Sequence, residues 1–325
     1  MFTKIVLSVS VILILAALGC SSPASSILFT SDRDGNLEIY SVNSNGEKLT
    51  NLTNTQTNEF APVASPNRRL IAFLSGVQGN IAVEVMRVDG TERFPVTQAT
   101  AEHSSPQWSP SNDRIAYVRD DGPDSNIYMS TIGGGPSALL TSIAGHEVGD
   151  WSGDGDSVAF TVLGGRDQGI YTRNPDGVNE FRVTETPDYS PIWSPDSRKI
   201  AFLSTRDGNA EIYVMDADGG NLIRITETES AEYDISWSPN GQSLLFVSER
   251  DGNPEIYTVT REGARPTRLT FNTTVDSQPV WSPGGKQIAF VSFLDGDADI
   301  FLMNADGKDQ KRLTNNSAQD TYPAW

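Results

Sequence analysis

From residue 27 to residue 325 the chain is written in short apolar runs of four to six β-branched and aromatic residues, each bounded by Gly, Pro, Asn, Asp or Ser. That alternation predicts short strands joined by tight turns. The 28 glycines and 18 prolines are scattered too densely for any sustained helical period. The runs also recur at a fixed interval. Trp108, Trp151, Trp193, Trp237, Trp281 and Trp325 stand 42–44 residues apart, and one further step of 44 back reaches Ala64 inside Ala61-Pro62-Val63-Ala64-Ser65-Pro66. A second comb runs through Phe29, Phe73, Tyr117, Phe160, Phe202, Phe246 and Phe290. A third runs through Tyr40, Tyr128, Tyr171, Tyr213, Tyr257 and Phe301, with Glu84 intruding in the second copy.

Four strands per repeat with one large aromatic per sheet is the pattern of a propeller blade. A sandwich, the other all-β option, leaves the constant period unexplained. The first repeat, from Ile27, lacks its innermost strand, whereas Tyr322-Pro323-Ala324-Trp325 ends the chain on an unpartnered copy. These last residues are expected to join the first blade and remove both free sheet edges. The expectation is an all-β, seven-bladed β-propeller of four antiparallel strands per blade, closed by the C-terminal strand.

Composition changes this picture at the N-terminus. Lys4, the apolar run Ile5–Leu18 and the small residues before Cys20 form an export signal too short for a comfortable membrane span. Cys20 is the only cysteine, and Ala17-Leu18-Gly19-Cys20 resembles a bacterial lipobox, with Ala17 standing where Leu is usual. The resemblance implies cleavage before Cys20 and its acylation; an uncleaved anchor helix with an incidental cysteine is the alternative. The expected division is a leader at 1–19, an acylated cysteine and tether at 20–26, and the propeller at 27–325. No acidic residue follows Cys20 to retain the protein at the inner membrane, which favours the periplasmic side of the outer membrane or the cell surface. Without a second cysteine no disulfide holds the fold. The chain carries a net charge of −18, or −19 once Lys4 leaves with the leader. Such a field disfavours nucleic acid and anionic lipid, so membrane contact is expected through the lipid anchor only.

The unit Trp193-Ser194-Pro195-Asp196, Ile200-Ala201-Phe202, Arg206-Asp207-Gly208-Asn209 and Glu211-Ile212-Tyr213 resembles the repeat of TolB-like propellers over residues 25–325. The resemblance is specific for fold and weak for function, because such repeats occur in many bacterial envelope proteins and beside the catalytic domains of some peptidases. G-x-S-x-G is absent, and the partner contacts of TolB do not carry over by position.

Two sets of residues are candidates for chemistry. Asp32-Arg33-Asp34-Gly35-Asn36 and its relatives invite a calcium reading, but they lack the bidentate glutamate of an EF-hand loop and match hairpin-turn chemistry. The second set lies five residues before each step of the tryptophan comb: Glu59, His103, His146, Asp188, Glu232, Asp276 and Asp320. A propeller would gather these groups around one mouth of its axial channel, as a ring for calcium or a cationic ligand; alternatively each caps a local turn. The function expected first is a non-catalytic, envelope-anchored, monomeric scaffold that binds a protein or small ligand on this face. The alternative is a metal-dependent lyase-like or hydrolase-like propeller enzyme that uses His103, His146 and the ring carboxylates.

Overall fold

The computed structural model describes residues 26–120, 122, 125–141 and 147–325, so the leader, Cys20 and His146 lie outside the described residues. The described residues form seven four-stranded antiparallel sheets and no helix. Blade 2, for example, runs outward through Glu59–Ala64, Leu70–Val77, Asn80–Arg87 and Phe94–Pro95. Blades 3 to 7 follow in chain order, with innermost strands His103–Trp108, Glu147–Trp151, Asp188–Trp193, Glu232–Trp237 and Asp276–Trp281. Blade 1 is composite: the C-terminal strand Asp320–Ala324 pairs with Ser26–Ser31, in the register Leu28↔Ala324, Thr30↔Thr321 and Ser31↔Asp320. The ring is thus closed by its two ends, as the repeat count requires.

The three aromatic combs explain the packing. Phe29, Phe73, Tyr117, Phe160, Phe202, Phe246 and Phe290 are all buried at the centres of their sheets. Full burial of such a side chain is worth about 1.5–3 kcal/mol. Five of them stack on the third-comb tyrosine of the same blade, at centroid separations of 5.5–6.2 Å. Three of the tryptophans tie neighbouring blades together by hydrogen bonds. Trp108 Nε1 donates to the carbonyl of Val63 at 3.0 Å, Trp151 to Gln107 at 3.2 Å and Trp237 to Ile192 at 3.2 Å, each one blade back.

Every innermost strand carries one extra residue relative to its partner. In six of them a non-glycine residue near this bulge adopts φ of 50–54°: Ala61, Ser105, Ser190, Asp234, Gln278 and Tyr322. Left-handed backbone costs a non-glycine residue about 1–2 kcal/mol. Its sixfold repetition makes it a built feature of the channel wall. Blade 4 solves the same problem differently. Gly149 lies so close to blade 5 that a Cβ there would meet the Pro191 carbonyl at 2.4 Å.

Candidate functional site: the axial cavity and the buried ring

The ring positions are the first residues of six described innermost strands, but their side chains do not line the channel. Glu59, Asp188, Glu232, Asp276 and Asp320 are fully buried, and His103 nearly so. The expected open ring around a mouth is therefore corrected to a set of interior anchors. The physical reason is an arginine. In blade 5, Arg206 reaches back from the hairpin to Asp188 at 2.7 Å and to Ser204 at 2.9 Å, with its guanidinium 5.7 Å from the centroid of Phe202 and 4.6 Å from that of Tyr213. Arg250 repeats this with Glu232 (3.0 Å), and Arg33 grips both oxygens of Asp320 at 2.9 Å. In blade 2 the cation comes from just before the outermost strand: Arg93 bridges Glu59 and Glu84. That pairing accounts for a glutamate at a tyrosine position. A buried, paired carboxylate avoids the repulsion that five charges around a water-filled opening would suffer.

The Asp-Gly-Asn hairpins are also structural. Asp34, Asp207 and Asp251 accept the hydroxyls of Tyr40, Tyr213 and Tyr257. Asn36, Asn209 and Asn253 donate to Glu38, Glu211 and Glu255. Calcium at the ring, which needs six to eight oxygens, would have to displace an arginine at four of its five carboxylates. Among the described residues no three His, Cys, Asp or Glu side chains gather closely enough to hold a metal ion. His103 is fixed by its Nδ1–H, which donates to the Ile81 carbonyl at 2.6 Å, and its ring lies 5.4 Å from that of Tyr117.

The space on the axis belongs to other residues. A cavity of about 500 Å³ is lined from six of the seven innermost strands, with Ser104, Ser105, Glu147, Ser190, Asp234 and Tyr322 as its polar wall. The left-handed residues turn their backbone toward neighbouring blades. Asp234 Oδ2 accepts the Gln278 N–H at 3.0 Å, and Gln278 Oε1 accepts the Tyr322 N–H at 2.7 Å. The Ser190 hydroxyl donates to Glu147 at 3.2 Å. Enclosure by protein pushes the Glu147 and Asp234 carboxyls above their ordinary range, although both face the cavity. In the wall itself, burial pushes Asp150 up to about 7, against the N–H groups of Trp151 and Trp193 that favour its charge. This arrangement offers hydroxyls, two carboxyl groups and apolar wall to one polar guest. The ring reading missed Glu147 and Asp234, which lie one and two residues past the ring positions. Strand alternation alone would put Asp234, two residues past Glu232, on the buried side; the one-residue bulge and the left-handed φ of 51° at Asp234 turn it to the axis, and no pattern in the sequence announces them.

The description of this repeat matches a known family over residues 80–208 and 188–292, as the TolB β-propeller domain. The chain belongs to that family. A protein TolB homologue of Chlorobium luteolum is 30% identical over 121 residues, which are 37% of this chain and 27% of that protein. The matched part is thus about a quarter of that TolB homologue's length. The crystal structure of TolB from Acinetobacter baumannii superposes with a TM-score of 0.61 at 19% identity, over 89% of this chain and 78% of that one. An oligogalacturonate lyase in complex with manganese reaches a TM-score of 0.71, also at 19% identity, over 86% of each chain. At this identity the two structures speak for the fold alone.

Proposed function

We propose that this TolB-family propeller is a non-catalytic, lipid-anchored scaffold of the bacterial envelope that binds a protein or small ligand where its axial cavity opens. The observation that carries the reading is the division of labour among the carboxylates. Those of the ring are buried, four of five on an arginine, whereas Glu147 and Asp234 face an open, hydroxyl-lined cavity of about 500 Å³. Kinship with TolB homologues supports a partner-binding role, and the Ala17-Leu18-Gly19-Cys20 segment supports export and acylation. A propeller enzyme of the metal-dependent lyase type is the second reading, favoured by fold likeness alone. His103, its natural metal ligand, spends one ring nitrogen on a backbone carbonyl.

The test is cross-linking in intact cells, with Glu147→Gln/Asp234→Asn and Cys20→Ala compared with the full chain. The double variant should lose its cross-linked partner while keeping a cooperative melting transition. Cys20→Ala should move the protein from the membrane to the soluble fraction. An unaltered cross-linking pattern in the double variant refutes axial binding, and a soluble wild-type protein without lipid refutes the anchor. Stoichiometric transition metal in the purified protein would favour the enzyme.

A further inference from the structure

Blade 7 breaks the repeat at four positions on one face. Its loop before the innermost strand reads Phe271-Asn272-Thr273-Thr274-Val275, where blade 6 has Glu227-Thr228-Glu229-Ser230-Ala231. Its hairpin reads Phe293-Leu294-Asp295-Gly296, where blade 6 has Glu249-Arg250-Asp251-Gly252. Three charged residues have become large apolar ones, and Ala231 has become Val275. The Phe293 N–H donates to the Val275 carbonyl at 3.0 Å, which joins loop to hairpin. Phe271, Leu294 and Val275 are 73%, 51% and 37% exposed, and no other blade brings more than one large exposed apolar residue to these positions among the described residues.

Beneath them the rest of the arginine slot is intact. Phe290 and Phe301 keep the ring pair, 5.6 Å apart, and Ser292 still stands opposite Asp276. The arginine is gone, and with Phe301 so is the hydroxyl that Asp207 and Asp251 accept in blades 5 and 6. Asp276 is the one ring carboxylate without a guanidinium among the described residues, held instead by Asn272 at 2.7 Å. Its Oδ1 and the Oε2 of Glu255 are both buried and without a hydrogen-bond partner, as are Asp188 Oδ1, Glu211 Oε2 and Glu232 Oε2 in blades that keep their arginines. What sets blade 7 apart is therefore the missing guanidinium and not the unmet acceptors. Burial, with Glu255 adding to it, pushes the Asp276 carboxyl up to about 6.

We propose that this face of blade 7 is a docking site for a protein segment that presents an arginine among apolar side chains, its guanidinium entering over Phe290 and Phe301 to reach Asp276. The chemistry of the guest is read from the molecule itself, since Arg33, Arg206 and Arg250 fill the equivalent slot in three other blades. A planar, delocalised cation stacks on aromatic rings and meets a carboxylate in a way an ammonium does not. The exposed Phe271, Val275 and Leu294 supply the apolar collar that excludes water from such an anchor. The net charge of −18 draws a cationic segment toward it. This inference goes beyond the axial reading above, since blade 7 contributes no residue to the lining of that cavity.

The experiment titrates the full mature chain with the peptide acetyl-Gly-Leu-Arg-Leu-Gly-amide and with its citrulline analogue, followed by calorimetry and by amide shifts in NMR. The arginine peptide should bind at least about tenfold more tightly than the uncharged analogue. Leu294→Arg restores the missing cation in cis. It should raise the melting temperature by about 2–4 °C and abolish peptide binding. Asp276→Asn should also abolish binding. Equal binding of both peptides, no binding of either, or unchanged affinity in Leu294→Arg overturns the proposal. So does calcium chloride stabilising the wild type, but not Asp276→Asn, in the absence of peptide binding, which would assign the two carboxylates to a cation. The axial reading stands on Glu147 and Asp234, so a cross-linked partner lost in that double variant but kept in Leu294→Arg would sink this site and leave that reading intact.

Discussion

Blades 5 and 7 share a backbone and an aromatic core and differ in the cation that meets the ring carboxylate. In blade 5, Asp188 is bound by Arg206, and a second arginine, Arg224, holds Glu211 at 3.2 Å. In blade 7 the second arginine survives as Arg312 on Asp299, but the first has become Leu294. The sheet register is the same in both, Asp188↔Ser204 against Asp276↔Ser292. A blade therefore consists of two layers with different obligations. Hydrophobic burial and ladder hydrogen bonds specify the sheet, while the polar layer above it can change without unmaking the blade. Function has room to appear in the second layer, and the departures from the repeat are where to look for it.

The sharpest way to break the layer common to all blades is to open the ring. Deleting residues 320–325 removes the innermost strand of blade 1, strips Arg33 of Asp320, and withdraws Trp325 from the cluster around Ile27 and Phe29. Loss of an aromatic core residue alone costs roughly 3–5 kcal/mol, and two unpaired edges are added. Since total stabilities run to about 5–15 kcal/mol, the truncated chain should lose cooperative melting in calorimetry and amide protection along Ser26–Ser31. A truncated chain that melts within a few degrees of the full one would show that closure contributes little.

That closure was legible in the sequence, and for a definable reason. The tryptophan comb and the missing first strand are one-dimensional facts, and a strict period leaves a single way to count blades. The ring of ionisable groups was legible as a set of positions and misleading as a site. Its spacing relative to Trp108 or Trp193 says where each residue falls along a strand. Whether it faces water or a guanidinium depends on Arg33, Arg93, Arg206 and Arg250, which arrive from hairpins or from just before an outer strand. Arg93 illustrates the limit, since it lies 34 positions from the Glu59 it serves. The left-handed residues were hidden for another reason: Ala61, Gln278 and Tyr322 have no common chemistry that announces a positive φ.

The same substitution in the two blades should separate the layers. Asp188→Asn leaves Arg206 partly buried against a neutral group, and breaking such a pair costs roughly 3–5 kcal/mol when the surviving charge is fully buried. With the Arg206 side chain 21% exposed, about 2–3 kcal/mol is expected at pH 8. Asp276→Asn removes a carboxylate that has no arginine and whose charge is opposed by burial and by Glu255. This variant should be neutral or more stable by up to about 1 kcal/mol at pH 8. Equal destabilisation of both by urea unfolding would mean that the arginine is not what distinguishes the blades.

The smallest effect is spread over pH and tests the unpaired carboxyls together. Burial raises Asp150 to about 7 and Asp276 to about 6, and raises Glu147 and Asp234 as well, from ordinary values near 4. A carboxyl whose folded value is raised binds its proton more tightly in the folded state. Its stabilisation is complete below the unfolded value and disappears as pH climbs through the folded one. The melting temperature should therefore fall steadily between about pH 4.5 and 7.5, the reverse of a protein whose carboxylates are all salt-bridged. Below about pH 4 the exposed Asp34, Asp113 and Asp196, whose hydrogen bonds hold them low, act in the opposite sense and end the rise. Asp276→Asn should flatten the part of the slope up to about pH 6. Asp150→Asn should flatten the part up to about pH 7, although it surrenders one of the two N–H contacts from Trp151 and Trp193. A wild-type melting temperature that rises from pH 5 to pH 7.5 would show that these carboxyls are ionised throughout, and that cations outside the chain already neutralise the polar layer where its own arginines are missing.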